Sequence, residues 1–419
     1  MIITGKNFIS AILLALASLV VKAQTPVSLK QALQSAKSNN PILKTHSFNV
    51  SIAETDIISA KMRPNPILNN QSLQLMQPTF FPPNTDWGSP KNRQIWWQLT
   101  KPFQLPAQRK YKIDVAQKNV AFSQSTYIET ERTVYQEVAS KWVDVWTAKK
   151  QLDILILAKS NIDTLVSINK LRLKNQVITQ TELSRTELLA NQYALQIKSA
   201  EQNYKNEIVN LKFLMGSQQE IAIDTTDNFQ LTFSNSIDSL LQIALVNRGD
   251  IQSLKSTIEV ANSNIKLQKA MTLPQPELGV IYNPQNTIPY LGFYGTIEIP
   301  IFSRNQGEIK KSNLLKLQAE QGLNATQQQI QSEILNAYNT YQTEKQNLKN
   351  FDGLLSQSES ILASIRYSYL RGGTTIIDYL EAQRSWLDTK QQYYQTLQLF
   401  RQSYIQLLYT SGLINQMAN

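Results

Sequence analysis

Tyr369-Leu-Arg-Gly-Gly-Thr-Thr-Ile-Ile-Asp-Tyr-Leu-Glu-Ala-Gln383 joins two long helical patterns near the end of the chain. Before it, Ile334, Tyr341, Leu348, Leu355 and Leu362 recur every seventh residue; after it, Leu380, Leu387 and Tyr394 resume the spacing, with Leu397 and Tyr404 in parallel. A sustained heptad of apolar residues predicts helices that pack along their lengths as a coiled coil. Gly372 and Gly373 stop the first helix, because glycine accepts the positive φ of a C-terminal cap. Thr374 or Thr375 caps the next helix, and Asp378 lies in its first turn, where the helix dipole favours a carboxylate. The stretch therefore reads as a tight hairpin at the end of a long antiparallel helix pair.

The rest of the composition narrows the function. The 419 residues include no cysteine and one histidine, His46. Disulfides, thiolate metal sites, a catalytic cysteine and an acylated N-terminal cysteine are thereby excluded, and a multi-histidine metal site with them. No G-x-S-x-G, H-E-x-x-H or metal-ligand cluster stands in the sequence, so no enzyme, cofactor or metal is expected. Lys6 followed by the apolar run 8–21 and Val21-Lys22-Ala23 reads as a secretory signal peptide over 1–23. No other run is long and apolar enough to cross a bilayer as a helix. The formal charge of +10 comes from lysines and arginines scattered among acids, which argues against nucleic acid as a partner.

Beyond the signal the chain reads as one unit written twice, over 24–216 and 237–419, with a polar linker at 217–236. The first copy opens Ser28-Leu-Lys-Gln-Ala-Leu33 and the second Ser239-Leu-Leu-Gln-Ile-Ala-Leu245, each followed by a break and a longer helix. The second of these longer helices shows Ile251, Leu254, Ile258, Ala261 and Ile265 on one face. Proline pairs end both, Pro64-Asn-Pro66 and Pro274-Gln-Pro276. Strand material comes next: weak alternation at 67–76, then Ile95, Trp97 and Leu99 against Gln94, Gln98 and Thr100. In the second copy Leu278, Val280 and Tyr282 alternate, as do Leu291, Phe293, Ile297 and Ile299 against Tyr290, Tyr294, Thr296 and Glu298. After Pro102 and Pro106, Val134, Val138, Trp142, Val145 and Trp146 mark a helix of roughly 90–100 Å. It turns back near 174–181 into a second helix ending at Gly216, as the tip stretch does before a helix ending at Gly412.

Four strands with one apolar and one polar face cannot close a barrel around a lumen, and an exported chain must hide their edges. Three chains supply twelve strands, which close a membrane barrel with no unpaired backbone in lipid. In this order of helices, prolines and strands, and in the stretch 369–383, the chain resembles the TolC-type outer-membrane factor family, the outer membrane efflux proteins. The resemblance implies a mainly α chain with a membrane β-barrel: a homotrimer whose twelve-stranded barrel sits in outer-membrane lipid and continues as a periplasmic α-helical coiled-coil barrel. It implies a passive exit duct in the cell outer membrane, docked to a periplasmic adaptor (membrane fusion protein) and an inner-membrane pump of RND type. The length and the Pro-x-Pro exits look most like the branch linked to cation efflux.

Carried over by position, Tyr369, Asp378 and Glu381 match the family's gating tyrosine and two carboxylate positions, and Thr374 stands where some members have an arginine. In the first copy Glu182 aligns with Asp378 and Arg185 with Glu381, so the resemblance implies an Arg185–Glu381 pair or a ring of Glu381 carboxylates. The tip residues Gly372, Gly373, Asn175 and Gln176 are the expected adaptor-docking positions. The plainer readings stand beside these: Asp378 as a first-turn residue on the dipole, Glu381 and Arg185 as solvated surface. Trp96 and Trp97 read as an interfacial aromatic belt and Asp86-Trp87-Gly88 as an extracellular turn. Two other functions remain in view, the outer-membrane duct of a type I protein secretion system and an exported coiled-coil scaffold with no channel. A scaffold needs heptads but no paired strands at the proline exits.

Overall fold

The structure is a computed structural model that describes residues 26–226, 236–285, 288–351 and 353–418; the signal-peptide reading lies outside these. Two compact units divide the chain, one formed by Thr45–Thr130 and Leu245–Gln331, the other by the rest. Helices dominate both units.

The first-named unit holds an antiparallel sheet of four strands, β2 (Ile67–Gln74), β3 (Arg93–Pro102), β5 (Glu277–Gln285) and β6 (Ile288–Thr296), in the order β2-β3-β5-β6. Register places Leu68, Leu99, Val280 and Phe293 in one row across all four strands. Directly paired residues share a face, so this row is apolar, and Leu68, Leu99 and Phe293 are 65%, 52% and 84% exposed. The row beside it on the other face is Asn69, Gln98, Ile281 and Gly292. An exposed apolar face and a polar face thus alternate residue by residue, as the sequence predicts. Trp96 and Trp97 consequently lie on opposite faces, so only Trp97, 43% exposed, joins the apolar one. Thr100, Gly279 and Tyr294 form a third row, on the polar face. Tyr294 Oη bonds Thr100 Oγ1, and its ring lies where a Cβ on residue 279 would sit. Only glycine fits there while Tyr294 keeps this position, with the tyrosine folded down against the sheet. Strand β6 ends at Thr296, so Ile297 and Ile299, read as strand from their alternation, lie beyond it; Pro300 has no N–H to extend a ladder.

The second unit holds the heptad helices from Glu131 and Ser332 onward. Among them α3 (Pro106–Lys174) returns through α4 (Gln180–Met215), and α8 (Leu354–Leu370) through α9 (Ile376–Thr410). The stripe Val134, Val138, Trp142, Val145 and Trp146 of α3 is fully buried, and Ile162, Leu189, Tyr379, Leu380 and Leu387 belong to one core. The heptad that leads into the tip is not one helix. Helix α7 (Gln306–Asn350) stops, and Gly353 at φ +90° starts α8, although Leu348, Leu355 and Leu362 keep to one half-buried stripe. The segment read as a polar linker at 217–236 is described over 217–226 and at 236, and carries a short strand. β4 (Ala222–Ile223) pairs in parallel with β1 (Pro26–Val27), and Ile221 and Ile223 are buried.

Helix α1 (Leu29–Asn39) and helix α2 (Pro41–Lys61) meet at Asn40, which is wholly buried. Its Oδ1 accepts from the N–H of Ile42 and Leu43, and its Nδ2 donates to Leu214 O at 2.7 Å, tying the break to the end of α4. Among the described residues no helix is long and apolar enough to cross a membrane.

Candidate functional site

The two hairpin tips lie in one unit and are built alike. Thr179 caps α4: its hydroxyl accepts from the Glu182 N–H at 3.2 Å, and Glu182 accepts from the Thr179 N–H at 2.7 Å. Thr375 caps α9 in the same way through Asp378, with bonds of 3.2 and 3.1 Å. Of the two threonines proposed as cap, Thr375 is the one; Thr374 instead donates its hydroxyl to Asp378 Oδ2 at 2.6 Å. These hydroxyls, then the Thr375 N–H, hold the Asp378 carboxyl below the ordinary carboxylate range. Each box satisfies reciprocal donors at a helix start, which fixes where the chain turns. The preceding turns use left-handed residues, Gly372 at φ +80° and Gln176 at φ +56°. Gly372, Gly373, Asn175 and Gln176 are all exposed.

Behind the caps, polar side chains tie the hairpins together. Tyr369, 3% exposed at the end of α8, donates its hydroxyl to Asn169 Oδ1 on α3 at 2.9 Å. Asn169, wholly buried, donates in turn to Thr186 Oγ1 on α4 at 3.0 Å. Arg172 lies 4.8 Å from the Tyr369 ring centre and donates to the Tyr369 carbonyl at 3.3 Å. Burial pushes the Tyr369 hydroxyl up from its ordinary pKa, so it stays a neutral donor. Asn169, Arg172 and Thr186 were not among the site residues read from the sequence. The signal for Asn169 is there: it falls seven residues after Ile162, where the stripe calls for an apolar side chain.

Of the residues carried over to the gate, the structure joins Thr374 with Asp378 and places Tyr369 in the core. Glu182 is committed to its cap. Arg185 and Glu381 are exposed, and no ion pair joins them within the chain among the described residues. Gln383, in the heptad position of Ile376, is wholly buried, and its amide has no hydrogen-bond partner among the described residues. Among those residues no group of acids and histidine is placed to hold a metal.

Residues 240–413 match the family model described as outer membrane efflux protein. No curated protein sequence matches the chain. Solved structures resemble it over nearly the whole length. The channel CusC aligns at 20% identity, covering 94% of this chain and 95% of that one, with a TM-score of 0.77. The Neisseria gonorrhoeae MtrE outer membrane channel in its open state aligns at 15% identity, 94% and 95% coverage, and a TM-score of 0.74. For the Campylobacter jejuni CmeC outer membrane channel the values are 16%, 94% and 90%, and 0.71. The resemblance to TolC-type outer-membrane factors, the fold class and the outer-membrane setting read from the sequence all agree with these matches.

Proposed function

We propose that this chain, alike in fold to outer-membrane channels and matching the outer membrane efflux proteins over 240–413, is the outer-membrane duct of a tripartite efflux system. One observation carries the reading. The four-stranded sheet exposes an apolar face and leaves β2 and β6 as free edges. Three copies joined edge to edge close twelve strands, turn the apolar face to lipid and the polar face to a lumen, and leave no strand unpaired. A coiled-coil scaffold has no use for such a sheet. A duct for type I secretion uses the same barrel, and the genes for the partner proteins distinguish it.

In this reading the helical hairpins reach into the periplasm and their tips are the gate. The capping carboxylates Asp378 and Glu182 spend their charge on the helix starts, and Glu381 and Arg185, with Lys174 and Arg371, stay as exposed charges at the tips. Glu381 and Arg185 pair between neighbouring protomers, or Glu381 forms a ring that attracts cations. The turns at Asn175, Gln176, Gly372 and Gly373 present backbone and small side chains to a periplasmic adaptor, behind which stands an RND-type pump. Cargo is small molecules or cations, and the duct itself catalyses nothing.

The test is reconstitution. The protein extracted in mild detergent should run as a trimer and conduct ions in planar bilayers, and Glu381→Gln should lower its cation preference. A detergent-free soluble protein that forms no channel would overturn the duct; unchanged selectivity would remove the Glu381 ring alone.

A further inference from the structure

We propose that residues 297–302 form the seam by which one copy of this chain seats on the next, packing against Met62 and Ile67 of the neighbouring copy. The proposal deepens the trimeric reading above and rests on it. The segment Ile297-Glu-Ile-Pro-Ile-Phe302 follows β6 and is exposed: Ile299, Ile301 and Phe302 show 73%, 63% and 92% of their surface. So dense a run of bare apolar side chains on an exported protein marks a surface that is covered in use. It cannot be covered as another rung of sheet. Pro300 has no N–H, and the Ile301 N–H turns back to Ile299 O at 2.8 Å.

The sheet register says what lies beside it. Ile67 pairs with Thr100, Pro102 with Glu277 and Glu277 with Thr296, so the start of β2 and the end of β6 lie at the same end of the sheet. When β6 of one copy joins β2 of the next in antiparallel fashion, the chain leaving Thr296 runs alongside the neighbour's chain entering Ile67. On that entering side Met62 and Ile67 are 64% and 53% exposed. Two prolines, Pro64 and Pro66, again rule out a ladder, so below the barrel the joint is made by side chains. Charge favours a second copy over lipid as the occupant. Glu298 on one side and Arg63 on the other are exposed, and no ion pair within the chain involves either among the described residues. A head-to-tail seam brings these opposite charges together three times around a closed ring.

The chain has no cysteine, so an introduced pair reports the contact without background. In trimers carrying Phe302→Cys with Met62→Cys, or Phe302→Cys with Ile67→Cys, mild oxidation should give covalent dimers and trimers on denaturing gels, and the single variants none. Glu298→Arg should lower the temperature at which the trimer dissociates by several degrees, and adding Arg63→Glu should restore it. If the parent protein is trimeric, neither pair cross-links and Glu298→Arg leaves the dissociation temperature unchanged, the seam is refuted; quenching of a fluorophore at position 302 by brominated lipid would then show the segment to lie in the bilayer. If the parent protein is itself monomeric in mild detergent, the trimeric duct fails, a result distinct from failure of the seam alone.

Discussion

The hydroxyl of Tyr369 is the smallest group whose removal should loosen the tip. In Tyr369→Phe the ring stays packed and stays under Arg172, so the change is confined to the bond from Oη to Asn169 Oδ1. Asn169 has no exposed surface, so its freed acceptor cannot turn to bulk water. An orphaned buried acceptor costs about 1–3 kcal/mol. If the tip opens locally, that cost lowers the opening free energy and speeds exchange of the protecting amides by roughly 5- to 150-fold. The reporters are the N–H groups of Gly372 and Gly373, bonded to Tyr369 O and Ser368 O. Hydrogen exchange read by mass spectrometry on a peptide spanning them gives the rate, and one spanning Gly216 serves as a control. Asn169→Ala should act in the same direction, and with Tyr369→Phe should cost less than the sum of the two, because they remove the same bond. Unchanged exchange in Tyr369→Phe, with the control also unchanged, would refute the idea that this bond holds the hairpins together.

Three further outcomes are expected. Asn40→Ala removes the cap of α2 and orphans the Leu214 carbonyl, so thermal unfolding in detergent should show a loss of about 2–4 kcal/mol. Asp378→Ala should speed exchange at the start of α9 at neutral pH. Since bonding depresses the carboxyl of Asp378 below its ordinary 3.8, its stabilisation is present above that pH and is lost as pH falls through the depressed value, so parent and variant should converge in strong acid. Gly279→Val drives a side chain into the Tyr294 ring and should destabilise the sheet by about 1–3 kcal/mol, and Tyr294→Ala in the same chain should recover most of it.

Much of this architecture was legible because its signals are periodic. Alternation at 93–101 gave β3 and its two faces, and helical spacing gave the stripe from Val134 to Trp146 that the structure buries. Capping residues placed the second tip to within a residue, since Thr375 and Asp378 act only on backbone nearby in sequence, whereas the first tip was read only as a turn near 174–181 and its cap at Thr179 was missed. Long-range polar partners were not legible. Asn169 and Tyr369 are 200 positions apart, and nothing in either neighbourhood names the other, although a polar residue at a heptad position pointed to Asn169. The apolar alternation misled at Ile297 and Ile299, where the pattern continues but Pro300 removes the donor a strand needs. Likewise the heptad runs through the break before Gly353 unchanged, because side-chain periodicity does not register one residue with positive φ.

The central claim is that the sheet divides lipid from a water-filled lumen, and two adjacent residues of β3 test it most directly. Gln98 lies on the polar face and Leu99 on the apolar face. In reconstituted channels, Gln98→Cys should react with a charged, membrane-impermeant thiol reagent and its conductance should fall on modification. Leu99→Cys should resist the same reagent, and a fluorophore placed there should be quenched by brominated lipid. Equal labelling of the two cysteines, or protection of Gln98→Cys with labelling of Leu99→Cys, would contradict the account.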